Sequence, residues 1–235
     1  MRRYSVFLWV LLILPIFLVS NASAYEYGVI KDDNITLLNG GNGINGGGAF
    51  NWEADDGYHF ASFCLEKNEY ITPGNTYAIE DITNGATAGG IGGPNPDPIS
   101  NETAWLFWNF SQGTLAGYNS SSSTMQAGLQ NLIWEGEEEI SSYSLLNRSN
   151  SLLGFYELDW FFAAQDAVAD GWNNNDGKVA VLNLKHYVDL EESGYWENSQ
   201  DQLIAAAPVP EPGTMVLLGM GLLFIAGVSR KKLKS

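Results

Sequence analysis

The chain has 235 residues, 45% of them hydrophobic, which suits one ordinary domain with a buried core. Its formal net charge is −16, and residues 25–207 hold only Lys31, Lys67, Arg148, Lys178 and Lys185 against twenty-six Asp and Glu, a net of −21. Such a body is expected to repel nucleic acid and anionic membrane surfaces, and its aromatic content sets it apart from chains that stay disordered through charge.

At the N-terminus Arg2 and Arg3 precede an apolar stretch from Val6 to Val19, and Ala22-Ser23-Ala24 offers a small-residue cleavage site before Tyr25. This predicts a secretory signal peptide over residues 1–24. Export normally brings cysteines in disulfide pairs, but Cys64 is the only cysteine. It reads as a buried thiol, an intermolecular bridge, or a sulfur protected in another way.

Tyr25 to Leu38 predicts a strand or two. Asn39 to Gly48 (NGGNGINGGG) reads as a loop. Gly41, Gly43 and Gly46 satisfy G-x-G-x-x-G, but no helical period follows, so the turn reading stands against dinucleotide binding. Tyr58 to Leu65 (YHFASFCL) predicts a buried strand with Tyr58, Phe60, Ser62 and Cys64 on one face and His59, Ala61, Phe63 and Leu65 on the other. Thr72-Pro73-Gly74-Asn75 is a turn, Thr76 to Ile82 a strand, and Asn84 to Pro98 a loop.

Three helices follow. Ser100 or Asn101 caps a segment from Glu102 to about Gln112. Thr124 to about Glu135 carries Met125, Leu129, Leu132 and Ile133 as one apolar stripe, with Gln126, Gln130 and Trp134 beside it. Phe155 to Ala169 closes at Gly171. Lys178 to Leu184 (KVAVLNL) reads as a strand. Interspersed strands and helices without regular βαβ alternation predict an α+β domain over residues 25–205.

Cys64 and Gln130 are the pair with the sharpest chemistry. A thiol held against a glutamine carboxamide can expel ammonia and leave an internal thioester, a stored electrophile for a partner's amine or hydroxyl. The alternative is a free core cysteine and a surface glutamine. Phe63-Cys64-Leu65-Glu66 and Leu129-Gln130-Asn131-Leu132-Ile133-Trp134 resemble the cysteine strand and the T-Q-x-A-I-W helix of bacterial thioester adhesin domains, over roughly residues 58–135. Leu129 departs from the threonine of that motif, and Asn131-Leu132 from the pair before Ile133-Trp134. The resemblance implies covalent attachment through Cys64 and Gln130.

Other residues point less far. Trp172 to Gly177 (WNNNDG) looks partly like a calcium loop, but Trp172 at the first ligand place and Asn183 at the twelfth exclude an EF-hand. His59 and His186 lack neighbouring ligand types for zinc. Asp55-Asp56 with Glu135 and Glu137–Glu139 contain a conceivable glycosidase pair, against which stands a solvated acidic run. Trp52, Trp105, Trp108, Trp160, Trp172 and Trp196 offer sugar-stacking surfaces, although Trp105, Trp108 and Trp160 fall on apolar helix faces. No motif requires a cofactor or a metal.

The tail, residues 206–235, joins Pro210-Glu211-Pro212, an apolar helix over about 213–229 and the basic Arg230, Lys231 and Lys232. The helix sits at the short limit of about 17–25 residues for a membrane span, and the basic cluster favours a cytoplasmic end. These features, in this order, resemble the PEP-CTERM sorting signal of exported Gram-negative proteins, which implies an exosortase and the secretion machinery as partners. Similar exported sequences also carry Val-Leu-Asn-Leu and Gln-Asp-Gln-Leu segments, here Val181–Leu184 and Gln200–Leu203. The combined reading is a non-enzymatic protein, anchored in the cytoplasmic membrane until processed and then passed to the cell surface or exopolysaccharide matrix. A polysaccharide or protein nucleophile would be its target. A non-covalent carbohydrate-binding module and a secreted hydrolase are the competing classes.

Overall fold

The run from Val179 to Leu184 is apolar on both faces, and the structure gives each face its own core. Val179 and Val181 pack with the helices, whereas Ala180, Leu182 and Leu184 pack inside a sheet. Alternation along an extended chain makes this division possible. The computed structural model describes residues 25–43, 46–87, 96–140, 152–190 and 193–208. The signal peptide 1–24, the helix 213–229, Pro210, Glu211, Pro212, Arg230, Lys231 and Lys232 lie outside the described residues.

Six strands form one antiparallel sheet: β1 (Asn34–Gly40), β2 (Phe50–Ala54), β3 (His59–Ser62), β4 (Thr76–Thr83), β5 (Val179–Leu190) and β6 (Ser193–Ala205), in the order β3-β2-β1-β4-β5-β6. Between β4 and β5 run α1 (Asn101–Ser111), α2 (Ser123–Gly136) and α3 (Leu152–Ala169). Consecutive helices set against an antiparallel sheet are the α+β arrangement, and residues Tyr25–Ala207 form one compact unit. No helix among the described residues is long and apolar enough to cross a membrane.

The sheet curls until its edges meet. Just past β3, Cys64 lies opposite Gln202 of β6, Leu203 N donates to Phe63 O at 2.9 Å, and Leu65 N donates to Asp201 O at 3.1 Å. Irregularities at Leu37/Asn39, Ile79/Asp81 and Leu182/Leu184 supply the bulges that bend such a sheet. Closure leaves no free backbone edge at this end. Inside lie Ile35, Leu37, Phe50, Trp52, Tyr77, Ile79 and Cys64.

The helices start where short polar side chains permit. Ser100 Oγ accepts from Thr103 N at the head of α1, and Ser122 Oγ accepts from Met125 N at the head of α2. Leu129, Leu132 and Ile133 turn to the helical core with Phe63, Leu65, Phe107 and Trp160. Trp134 turns instead into the sheet interior, so α2 bridges both cores.

Two strands depart from the sequence reading. Phe50–Ala54 has no element in that reading, yet Phe50, Trp52 and Ala54 alternate inward with period two. Ser193–Ala205 carries buried Ser199, Gln200, Asp201 and Gln202, a polar run that hydropathy marks as surface.

These buried polar groups are joined. Trp52 Nε1 donates to Ser62 Oγ at 2.7 Å, and Ser62 Oγ donates to Gln202 Oε1 at 2.6 Å, all three residues being fully buried. Ser62→Ala strands one donor and one acceptor without solvent, and should destabilise the protein by about 2 kcal/mol. A lower urea midpoint at unchanged slope is the expected result.

Candidate functional site

Gln130 sits one turn before Trp134 on α2, so both side chains leave the same face of the helix. That face meets the chain just past β3. The thiol of Cys64 donates to Gln130 Oε1 with Sγ at 3.1 Å, and Gln130 Nε2 donates back to the Cys64 carbonyl at 2.8 Å. Gly48 N supplies a third contact, donating to Gln130 Oε1 at 3.1 Å. Cys64 and Gln130 are both 0% exposed, so Gln130 is not the surface glutamine of the bland alternative.

Burial pushes the Cys64 thiol well above its ordinary range, and repulsion from Glu66 adds to this. The backbone of Cys64 and the Trp134 indole N–H offset only part of it. The thiol is therefore neutral, and the dyad is a thiol–carboxamide pair rather than a thiolate.

Acidic groups crowd the far side. Glu66 Oε2 accepts from Asp201 N at 2.8 Å, while Asp201 accepts from Leu184 N at 3.1 Å and Thr87 N at 3.2 Å. Desolvation raises the pKa of both carboxyls, and for Glu66 repulsion from Asp201 adds to it.

The Glu135–Glu139 run is not the solvated face expected from its composition. Glu137 and Glu139 are buried. Glu137 Oε1 accepts from Ser100 N and Oγ at 3.1 and 2.9 Å, placing a carboxyl at the N-terminus of α1, and Glu139 Oε2 accepts from Lys67 N at 3.1 Å. Asp55 and Asp56 are exposed and serve local turn contacts with Asn34 and Tyr58.

The remaining candidates are spread out. Asn174 brackets Val179 through its N–H and carbonyl, and Lys178 pairs with Asp176, which makes Trp172–Gly177 a stapled turn. His59 lies 4.0 Å from Glu53, whereas His186 Nδ1 lies 3.1 Å from Thr76 O. Among the described residues no group of three or more His, Cys, Asp or Glu could hold a metal ion. Trp52 and Trp160 are core, Trp105 and Trp108 are half-buried against the helical core, and Trp196 is 54% exposed. Sequence reasoning missed Gly47, Gly48 and Gln126. Ala49 N donates to Gln126 Oε1 at 3.3 Å, tying the glycine loop to α2. A glycine cluster without periodicity gave no sign of what it packs on.

Comparison with known protein families matches residues 208–231 to the PEP-CTERM protein-sorting motif. It spans Pro210-Glu211-Pro212, the apolar run and Arg230-Lys231. The motif marks an exported protein with an exosortase as processing partner and membrane anchoring before processing. No curated protein and no solved structure matches the chain, so the thioester-adhesin likeness of residues 58–135 rests on its residues alone.

The raised carboxyl pKa values fix a direction for stability. The folded chain holds the Glu66 and Asp201 protons more tightly than the unfolded chain, whose ordinary values are 4.5 and 3.8. This contribution is therefore full below those values and shrinks as pH rises toward the folded ones. Unfolding free energy should fall by about 2 kcal/mol or more from about pH 5 to about pH 8. Denaturation curves should show that slope flattened in the Glu66→Gln, Asp201→Asn double variant.

Proposed function

We propose that this exported protein is a covalent attachment module of the cell surface or extracellular matrix, acting once per molecule rather than as an enzyme. The observation that carries the reading is the fully buried contact between Cys64 Sγ and the Gln130 carboxamide, 3.1 Å from sulfur to Oε1. The PEP-CTERM motif supports delivery to the exterior, where such a bond has partners to reach.

The chemistry balances without a redox agent. Cys64 Sγ adds to the Gln130 carboxamide carbon, the carbonyl π pair moves onto Oε1, and the thiol proton passes to nitrogen. The C–N bond then breaks, ammonia leaves, and the carbonyl reforms as a thioester. A partner's amine or hydroxyl later adds to the same carbon. The C–S bond breaks and the partner's proton returns to sulfur, leaving an amide or ester at residue 130 and a free Cys64. Burial protects the stored bond from water.

Intact-mass spectrometry of the mature protein tests this. The expected mass is one ammonia below that of the sequence, with methylamine adding across the bond and Cys64→Ala restoring the full mass. An unshifted mass with an alkylatable Cys64 sinks the reading. Glycan retention unaffected by Cys64→Ala would then favour a carbohydrate-binding module, for which Tyr187, Tyr195 and Trp196 supply exposed rings on the β5–β6 ribbon.

Sorting has its own test. Removing residues 230–234 should leave the protein in the membrane fraction, because a processed sorting signal needs its basic end. Normal release of that truncated chain would make the tail a plain anchor.

A further inference from the structure

Resting on the thioester reading, the geometry points to the glycine loop before β2 as part of the bond-forming machinery: we propose that the Gly48 backbone N–H is the donor that stabilises the oxyanion on Gln130 Oε1, and that Gly47 is a glycine to let that donor approach. Addition of sulfur to the carboxamide carbon places negative charge on Oε1. A neutral thiol in a buried site is a modest nucleophile, so the carbonyl must be polarised by its surroundings. Besides the thiol itself, which surrenders its proton, Gly48 N at 3.1 Å is the one donor to Oε1 among the described residues. It is a backbone dipole fixed in a dry site, the arrangement that costs no reorganisation when charge develops. On the opposite side of the carboxamide the Cys64 carbonyl accepts from Nε2 at 2.8 Å, so the plane of the group is held at both ends.

The loop is shaped for this contact. A Cβ added at Gly47 would lie 2.5 Å from Gln130 Cγ, 2.8 Å from Trp134 Cη2 and 3.2 Å from Gln130 Cδ. Only a residue without a side chain lets the backbone lie on the carboxamide. Gly48 has φ +114°, a conformation L side chains rarely adopt, so glycine is favoured at the residue whose N–H meets Gln130. Gly43 N donating to Gly47 O at 2.7 Å closes the loop from within, and Ala49 N donating to Gln126 Oε1 anchors it one helical turn before Gln130. The G-x-G-x-x-G spacing is thus not a phosphate cradle. Its neighbours Gly47 and Gly48 approach a side-chain carbonyl.

The test is the time course of ammonia loss, read by intact mass on the full-length chain synthesised cell-free with detergent micelles. Gly47→Ala should slow ammonia loss at least ten-fold in the folded protein, with a lowered melting temperature because the added Cβ displaces Gln130 or Trp134. Gly57→Ala, in the turn between β2 and β3 and outside the glycine loop, is the control: its added Cβ has nothing within 4 Å, its φ of +86° brings backbone strain alone, and its folded fraction should close at the wild-type rate. Where Gly47→Ala fails to fold, replacing Gly48 by glycolic acid removes only the N–H and leaves every side chain unchanged. Loss of an oxyanion donor typically slows the step by about 10²–10³-fold, and a depsipeptide that closes at the wild-type rate overturns the proposal. Folded Gly47→Ala closing as fast as wild type and Gly57→Ala overturns it as well. A wild-type chain that never loses ammonia removes the thioester reading itself, a result distinct from either.

Discussion

Everything at the site depends on where the sheet closes. Phe63, Cys64 and Leu65 continue the line of β3 and bond to Asp201 and Leu203 of β6. Because that segment is extended, its side chains must alternate: Phe63 and Leu65 enter the helical core, and Cys64 enters the sheet interior. A one-residue slip would exchange the two sets and send the sulfur among the helices. The backbone bridge to Gln202 therefore fixes which way the thiol faces, and α2, spanning both cores, brings Gln130 to meet it.

The same closure explains the unusual polar content of β6. Gln200 and Gln202 answer side-chain and carbonyl groups on the opposite edge, Gln202 with Ser62 and Gln200 with the Glu66 carbonyl, while Asp201 donates its backbone N–H to Glu66 and turns its carboxyl to Leu184 and Thr87. Buried polar groups without partners are costly, so these contacts bind the seam together in one register. An apolar seam would hold with less specificity, since apolar side chains slide where hydrogen bonds do not. The cost is a pair of buried carboxyls whose pKa values desolvation raises, in a chain already strongly acidic.

The sequence was legible where local rules act alone. Ser100, one of the two caps expected, caps α1, the Leu129–Leu132–Ile133 stripe faces a core, and the two faces predicted for Tyr58–Leu65 serve two cores. It was opaque where partners are distant. Nothing near Gln200–Gln202 shows that Ser62 and Glu66 will satisfy them, and Glu137 looks solvated until Ser100 is seen across from it. Phe50–Ala54 was hidden by Asn51 and Glu53, which weaken a strand pattern even though they point outward. Cys64 and Gln130 stood out through their chemistry. The glycines beside them did not, because a glycine's use lies in what approaches it.

The pairing of Cys64 with Gln202 also sets an order of events. Cys64 is made early, but the residues that close over its strand lie 138 positions later. A chain emerging from its N-terminus passes α2, and with it Gln130, before β6 is available. Through that interval the thiol and carboxamide have no finished wall around them. Completion waits for β6, the last strand of the six-stranded sheet, whose end lies only a few residues ahead of the sorting motif at 208–231. The site and the address are thus finished almost together, so a chain cut short in synthesis lacks both the enclosure that would store a reactive bond and the signal that would deliver it.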